Sequence, residues 1–420
     1  MTPLKALGGA SDILPEEARA WQQLEEKARR VFQLYGYQEI RTPLIEEAAV
    51  FTSSLGEAAE IVTKQMYLFE DRGGRTVALR PEGTASVVRA LLEHGLDKTS
   101  PLNRFWYGGP MFRAERPQKG RKRQFHQIGV EVFGSASPHQ DVETLCLLKR
   151  LLEEWGLSGW KLKLNSLGCR EDRAKIVEHV RAKLTPHAKE LCEDCRMRLE
   201  KNPLRILDCK EENCRKLCEG IDVYEAVCAA CKEHFEQVKS GLKALDVPFD
   251  RDSHLVRGLD YYTRTAFEVV HPGLGSQDAL GGGGRYDDLV KMMGGSTPVP
   301  AIGFAVGIER VLLALESAGV KPAAPAALPV YVAAVSGAEL PHALELAEKL
   351  RRSGVAAFAN LEERPLGRQM KQASSMGARF ALILGADEVK EGTVTVKDMQ
   401  SGEQKKESLA DALKKVNHAG

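Results

Sequence analysis

Between Glu16 and Tyr35 the residues Ala18, Trp21, Leu24, Ala28, Val31, Phe32 and Tyr35 recur at spacings of three and four, which puts them on one apolar stripe of a helix; Gly36 supplies the stop. The pattern then shortens. Gln38 to Leu44 reads as a strand interrupted by Pro43, because proline lacks the ladder donor and is tolerated at an end or edge. Met66 to Phe69 and Thr76 to Arg80 are short β-prone runs around Asp71, Arg72, Gly73 and Gly74, which predicts a hairpin and antiparallel pairing. Pro110 to Phe133, PMFRAERPQKGRKRQFHQIGVEVF, reads as strand, basic loop, strand. A charged, Cys-rich block from Arg170 to about Lys239 is mostly helical in pattern, and strand-like sequence returns at His254 and at Phe267 to Val270. The Pro/Ala-rich stretch at 321–329 has the composition of a semi-rigid linker. Beyond it, Val330 to Val335, Val355 to Phe358, Ala381 to Leu384 and Val394 to Val396 read as strands, separated by helices at Leu340 to Arg352 and Leu366 to Met376. The pattern thus predicts an α+β domain over 1–320 on a mainly antiparallel sheet. A mostly helical insertion interrupts it over 170–239, and a C-terminal α/β domain spans 330–420.

Composition narrows the class. A chain of 420 residues with 43% hydrophobic content can bury two or three cores, and a formal net charge of +1 excludes a protein coated in basic residues while leaving room for local basic patches. No run of eighteen apolar residues occurs and the N-terminus lacks an apolar segment after a basic start, so the expectation is a cytoplasmic protein without a membrane anchor. The nine cysteines are then expected as thiols rather than as a disulfide scaffold.

Charge and alternation together mark candidate chemistry. The loop after Pro110 holds Arg113, Arg116, Lys119, Arg121, Lys122 and Arg123, which alone could be a solvated hairpin tip. The strand that follows alternates, so Arg123, Phe125, Gln127, Gly129 and Glu131 share one face, and a glycine in the middle of such a face suggests close approach of a ligand. Three further stretches combine arginines with polar groups: LRPEGT at Leu79 to Thr84, LVRGLDYY at Leu255 to Tyr262, and GFAVGIER at Gly303 to Arg310. Arg80 and Arg310 could serve only as ion-pair partners of Glu82 and Glu309. Separated arginines with interleaved polar groups are also what a polyphosphate needs, because guanidinium matches phosphate oxygens bidentately and stays charged. The run Gly281 to Gly284 lacks the dinucleotide-binding spacing, and a flexible turn is the default reading for it.

The helix through Trp21 followed by GYQEIRTP, with Gly36, Tyr37, Ile40 and Pro43, resembles the first signature of class II aminoacyl-tRNA synthetases, which lies at their dimer interface. Pro110 to Phe133 resembles their second signature and Gly303 to Arg310 their third, while LVRGLDYY and GGGGRYD, at Gly281 to Asp287, resemble the two stretches that mark the histidine-specific member. The resemblance covers nearly the whole chain. It implies ATP with Mg²⁺ and histidine as substrates, tRNA(His) as partner, and a homodimer. Arg113 would face the α-phosphate of ATP, Arg310 the γ-phosphate end, and Phe125 would stack on adenine. Glu82, Gly83 and Thr84 match the positions around the amino-acid ammonium, with Gln127 nearby. Glu131, Tyr261 and Tyr262 match those lining the substrate side chain, and Arg257 would face the α-phosphate from the histidine side. The C-terminal domain resembles an anticodon-binding domain, where Lys371, Arg379, Lys390 and Lys397 either contact phosphate or form a solvated face.

The cysteines leave two readings. Cys192-Glu-Asp-Cys195 and Cys228-Ala-Ala-Cys231, with Cys209, Cys214 and Cys218 between, are compatible with tetrahedral Zn²⁺, but a helical setting equally permits buried thiols. The embedded NPLRILDCK at Asn202 to Lys210 resembles the insertion of bacterial-type members, whose pattern does not require metal, so no metal ligand is assigned and a structural Zn²⁺ is the alternative. Two other functions compete. A catalytically silent paralogue that regulates histidine biosynthesis shares the catalytic fold, and Arg113, Arg257, Arg310 and the complete C-terminal domain speak against it. A zinc-dependent RNA-binding module would leave the histidine signatures unexplained.

Overall fold

The computed structural model describes residues 4–55, 61–275, 278–320 and 330–417. The chain divides into two compact units, Met1–Pro322 and Ala323–Gly420, and the linker expected at 321–329 lies outside the described residues. In chain order the strands of the first unit are β1 Gln38–Glu39, β2 Ile45–Glu47, β3 Tyr67–Glu70, β4 Thr76–Leu79, β5 Asn103–Phe112, β6 Gln124–Phe133, β7 Lys161–Ser166, β8 Asp250–Arg251, β9 Thr263–Val270, β10 Ala279–Arg285 and β11 Ala301–Gly307.

Eight of them form one sheet in the order β1-β5-β6-β11-β10-β9-β7-β8. All pairings from β5 to β7 are antiparallel, and the short strands β1 and β8 add parallel edges. A smaller sheet, β2-β4-β3, contains the predicted hairpin, with Glu70 opposite Thr76. Period-two alternation sends side chains to two different cores. Trp106, Ile128, Val130 and Val132 pack on one face with Trp21, Leu24 and Phe32 of the Pro15–Leu34 helix and with the Pro138–Glu154 and Ile308–Ser317 helices. Phe105, Tyr107, Met111 and Phe133 pack on the other face with Phe51, Val88 and Leu91. Burying each large apolar side chain this way contributes about 1.5–3 kcal/mol.

Several sequence expectations change in detail. The strand expected over Gln38 to Leu44 is only two residues long, because β1 meets β5 at Gln38↔Phe105 and Glu39↔Trp106 and then turns toward the smaller sheet. His254 lies in a turn after β8, where its Nε2 bonds to the carbonyl of Cys218 at 2.9 Å. The glycine run is a strand rather than a turn: Gly281 to Gly284 form the body of β10, paired on both sides. Residue 239 falls inside the Ala229–Ala244 helix, whose Phe235, Val238 and Leu242 belong to the main core, whereas Cys231 near its start belongs to the core of the helical segment.

One buried ion network ties sheet to helices. Arg285 is fully buried; its guanidinium donates to Asp141 at 2.7 Å, to Asp287 at 3.1 Å, and to the carbonyls of Ser135 and Ser137 at 2.9 Å. Asp141 also accepts from Thr265 at 2.6 Å and bonds to His234 at 2.8 Å, so its charge is surrounded by partners.

The second unit has strands β12 Val330–Ala334, β13 Ala357–Ala359, β14 Phe380–Leu384, β15 Thr393–Asp398 and β16 Gln404–Ser408, in the order β13-β12-β14-β15-β16. The first three are parallel and the last two antiparallel, with helices Leu340–Arg352 and Leu366–Ser375 as crossovers. β16 and the terminal Leu409–Asn417 helix complete it.

Candidate active site

A cavity of about 1030 Å³ opens on the first unit over the glycine strand, and Glu82, Thr84, Arg113, Phe125, Gln127, Arg257, Tyr261, Tyr262 and Arg310 all line it. Residues separated by more than two hundred positions meet because β6, β10 and β11 are sheet neighbours and the loop before β9 folds across them.

Arg113 follows β5, its guanidinium 5.1 Å from the Phe125 ring centroid and its Nε donating to the Pro81 carbonyl at 3.0 Å. Phe125 therefore has a cation on one side, and the pair forms a platform with a charged edge. Arg310 enters from the first turn of the Ile308–Ser317 helix, and its Nη1 donates to the Gly120 carbonyl of the basic loop at 3.1 Å. It is not the partner of Glu309, whose carboxylate accepts the His126 amide at 3.0 Å. Arg80 likewise does not pair with Glu82. It is buried and donates to the Pro110 carbonyl at 2.9 Å, bracing β5.

Arg257 reaches the cavity beside Tyr262, with its Nη1 on Glu268 at 2.7 Å. Its Nε is buried with no hydrogen-bond partner among the described residues, and neither has Gln127 Oε1. Buried polar atoms are normally paired, so an unpartnered donor and acceptor on two cavity-lining side chains stand out; protein covers both atoms, and a ligand would reach them only if the side chains shift. The glycine strand makes this approach possible: a Cβ on Gly282 would stand 2.8 Å from Arg257 Nη1, and one on Gly284 would stand 2.9 Å from Tyr262 Cδ1.

Glu82 is buried at the start of the Thr84–Glu93 helix, where its two oxygens accept the amides of Thr84 at 2.6 Å and Ala85 at 2.8 Å. Burial pushes its carboxyl up, and those amide bonds pull against that shift. Gly83 leaves room for a tyrosine, since a Cβ there would fall 2.2 Å from Tyr107 Cε2.

Glu131 lies directly behind this wall. Thr84 Oγ1 donates to its Oε1 at 2.6 Å, Tyr107 donates to the same oxygen at 3.3 Å, and the Tyr286 hydroxyl donates to Oε2. Burial pushes Glu131 up to about 8, against the pull of the Thr84 and Tyr286 hydrogen bonds. Gly303 sits opposite it across β6 and β11, and a Cβ there would lie 1.9 Å from Glu131 Oε2. The Tyr261 and Tyr262 rings lie 4.7 Å apart at a tilt of 47°, and burial raises both phenols, so they remain protonated donors near neutrality.

Two residues of this wall, Tyr107 and Tyr286, escape a reading of the sequence. Tyr286 stands within GGGGRYD but carries no pattern of its own. Tyr107 explains Gly129, its cross-strand partner: a Cβ on Gly129 would lie 2.5 Å from the Tyr107 hydroxyl, so the glycine admits this ring rather than a ligand.

An antiparallel sheet in this order, with one arginine from the end of β5 and another from the closing helix converging on one cleft, is the catalytic core of a class II aminoacyl-tRNA synthetase. The histidyl-tRNA synthetase family profile matches residues 9–311, and an anticodon-binding domain profile matches 329–418. The chain is 48% identical over 403 residues to the histidine–tRNA ligase of Natranaerobius thermophilus, covering 95% of each chain. It is 45% identical to that of Halothermothrix orenii, over 98% of this chain and 99% of the other. The crystal structure of apo histidyl-tRNA synthetase from S. aureus superposes with a TM-score of 0.83 at 34% identity, over 99% of this chain and 100% of that one. The chain belongs to the histidyl-tRNA synthetase family.

Proposed function

We propose that the cleft activates histidine with ATP, releasing pyrophosphate, and then passes the histidyl group from the adenylate to tRNA(His), releasing AMP. The observation that carries this reading is the meeting of Arg257, Gln127 and Arg310 with the Arg113–Phe125 platform in one cavity. Attack of a carboxylate on the α-phosphate brings two anions together, so Arg257 and Arg113, approaching from two sides, would stabilise the charge that builds in the transition state. Arg310 would bind the γ-phosphate end and Phe125 the adenine ring. Glu82 and Thr84 would hold the amino-acid ammonium, with Gly83 keeping the wall open to Tyr107 and Gln127 Oε1 supplying a further acceptor. Glu131 and its hydroxyl partners, with Tyr261 and Tyr262, would supply an imidazole with an acceptor and donors at fixed places, which apolar amino acids could not satisfy. ATP enters as its magnesium salt; Glu268 and Asp278 border the same cavity and offer the hard oxygens that Mg²⁺ takes.

The first unit would dimerise through the region of GYQEIRTP, where β1 is an open sheet edge and Leu44 and Ile45 are exposed. The helical segment between β7 and β8 would approach the acceptor arm of the tRNA, and the second unit would bind the anticodon. Its work would be done in the cytoplasm, where charged tRNA is consumed; among the described residues no helix is long and apolar enough to cross a membrane. The test is histidine-dependent exchange of pyrophosphate into ATP by Arg257→Ala. The expected loss is about two to three orders of magnitude, as for removal of one transition-state donor, and near-normal exchange refutes its role.

A further inference from the structure

The helical segment contains chemistry that activation of histidine does not use. Cys192, Cys195, Cys209 and Cys214 form one group, and Cys169, Asp172, Cys228 and Cys231 form another; within each, one ligand atom per residue lies within 4.8 Å of all the others. The two CxxC pairs therefore do not join one another, as their spacing alone would allow. Each has found different partners.

The geometry is that of single-ion sites. Zn²⁺ with bonds of about 2.3 Å to sulfur sets tetrahedral edges of about 3.8 Å, and Cys192 Sγ lies 3.9 Å from Cys209 Sγ. A disulfide would need about 2.05 Å. Both groups also use the same local device. Cys192, Cys228 and Cys169 are the N-caps of the helices Glu193–Lys201, Ala229–Ala244 and Arg170–Leu184, and the residue three positions on, in each case, is the second ligand: Cys195, Cys231 and Asp172. Helix N-termini favour negative charge, which suits thiolate and carboxylate ligands. Amides are already aimed at them: Cys192 N donates to Cys214 Sγ at 3.3 Å, and the amides of Cys169 and Cys228 donate to Asp172 Oδ2 at 3.3 and 3.1 Å.

Buried thiols can act simply as small apolar side chains. That reading accounts for the burial of Cys195 and Cys231 but not for Asp172. Its carboxylate is 1% exposed among three thiols, and Oδ1 is buried with no hydrogen-bond partner among the described residues. An open carboxylate oxygen in such a place is costly unless a cation meets it. We propose that this segment binds two structural Zn²⁺ ions, one held by Cys192, Cys195, Cys209 and Cys214 and the other by Cys169, Asp172, Cys228 and Cys231.

The two ions have different consequences. The first joins the Glu193–Lys201 helix to the Glu212–Cys218 helix inside the small core of this segment. The second pins together the start of Arg170–Leu184, where the chain leaves β7, and the start of Ala229–Ala244, where it rejoins the main core. Arg173, one residue beyond Asp172, donates to the carbonyl and the carboxylate of Asp260 at 2.7 and 3.0 Å, and Asp260 belongs to the stretch that carries Arg257, Tyr261 and Tyr262. The second ion thus braces the loop on which the histidine side of the cleft depends. Each thiol gives up its proton as the metal binds, so occupancy falls in acid.

The test is elemental analysis of the chain, purified without metal-affinity resin or chelator and dialysed against metal-free buffer. The proposal expects two zinc ions per chain, one after Cys195→Ser, one after Cys231→Ser, and none in the double variant. If a variant fails to fold, protein produced with Co²⁺ answers the question on the intact chain, through the thiolate-to-cobalt charge-transfer and d–d absorption of tetrahedral sites at two equivalents. Fewer than two ions on the intact chain, iron with inorganic sulfide in place of zinc, disulfides between these cysteines, or metal retained by the double variant overturns it. Metal content is read without reference to histidine activation, so failure here leaves the reading of the cleft standing.

Discussion

At the scale of single residues, the protonation state of Glu131, buried behind the cleft wall, is the most informative property of the site. With its carboxyl raised to about 8 by burial, Glu131 is protonated at neutral pH, while the imidazole of free histidine is neutral above about 6.5. In the proposed reading, between those values one proton would pass from Glu131 to imidazole on binding, forming an ion pair without exchange with solvent. Below about 6.5 the imidazole arrives charged and a proton must leave; above about 8 Glu131 has already lost its own. The KM for histidine should therefore be lowest between these limits and rise on both sides. Glu131→Gln should raise KM by about ten- to a hundredfold, the worth of a hydrogen bond to a charged group, and flatten the profile. An unchanged profile in that variant contradicts the role. Gly303 gives a steric counterpart, since Gly303→Ala places a methyl 1.9 Å from Glu131 Oε2 and should impair histidine binding as Glu131→Gln does, measured by the same KM.

At the scale of elements, the buried pair of Arg285 and Asp141 holds the glycine strand against the Pro138–Glu154 helix. Arg285→Ala leaves Asp141 buried with its main partner gone and should cost about 3–5 kcal/mol, read as a lowered urea midpoint of the first unit. A midpoint within error of the parent shows that the network is dispensable. Elements with a strong period were legible from sequence. The Pro15–Leu34 helix, the paired strands around the basic loop and the crossover helices of the second unit all follow from spacing. The alternation in β6 also separated its cleft face, with Phe125 and Gln127, from Ile128 and Val130 in the core. The glycine strand was not legible, because four residues without side chains have no period. Its identity as a strand comes from neighbours on both sides and from the close approach of Arg257 and Tyr262. Tyr107, Tyr286 and the division of the cysteines into two groups were hidden for a related reason: each depends on partners distant in sequence, such as Gly129, Glu131 or Asp172.

At the scale of the whole molecule, the two units should divide the reaction. The second unit presents exposed Lys371 and Lys390, whereas Arg379 is held by Asp398 at 2.8 Å and so is less available to phosphate. Reversing charge with Lys371→Glu and Lys390→Glu should raise the KM for tRNA and leave histidine-dependent pyrophosphate exchange unchanged. Equal loss in both assays would contradict the division. Raising salt from about 50 to about 200 mM should likewise weaken tRNA binding by about tenfold or more through counterion release, with little effect on exchange.

The central claim concerns the amino acid that this cleft activates, and pyrophosphate exchange into ATP run separately with all twenty amino acids tests it most directly. Histidine alone should support exchange well above background, because in the proposed reading an imidazole is what Glu131 and the phenols around it would recognise. No exchange with histidine, or equal exchange with another amino acid, would contradict it.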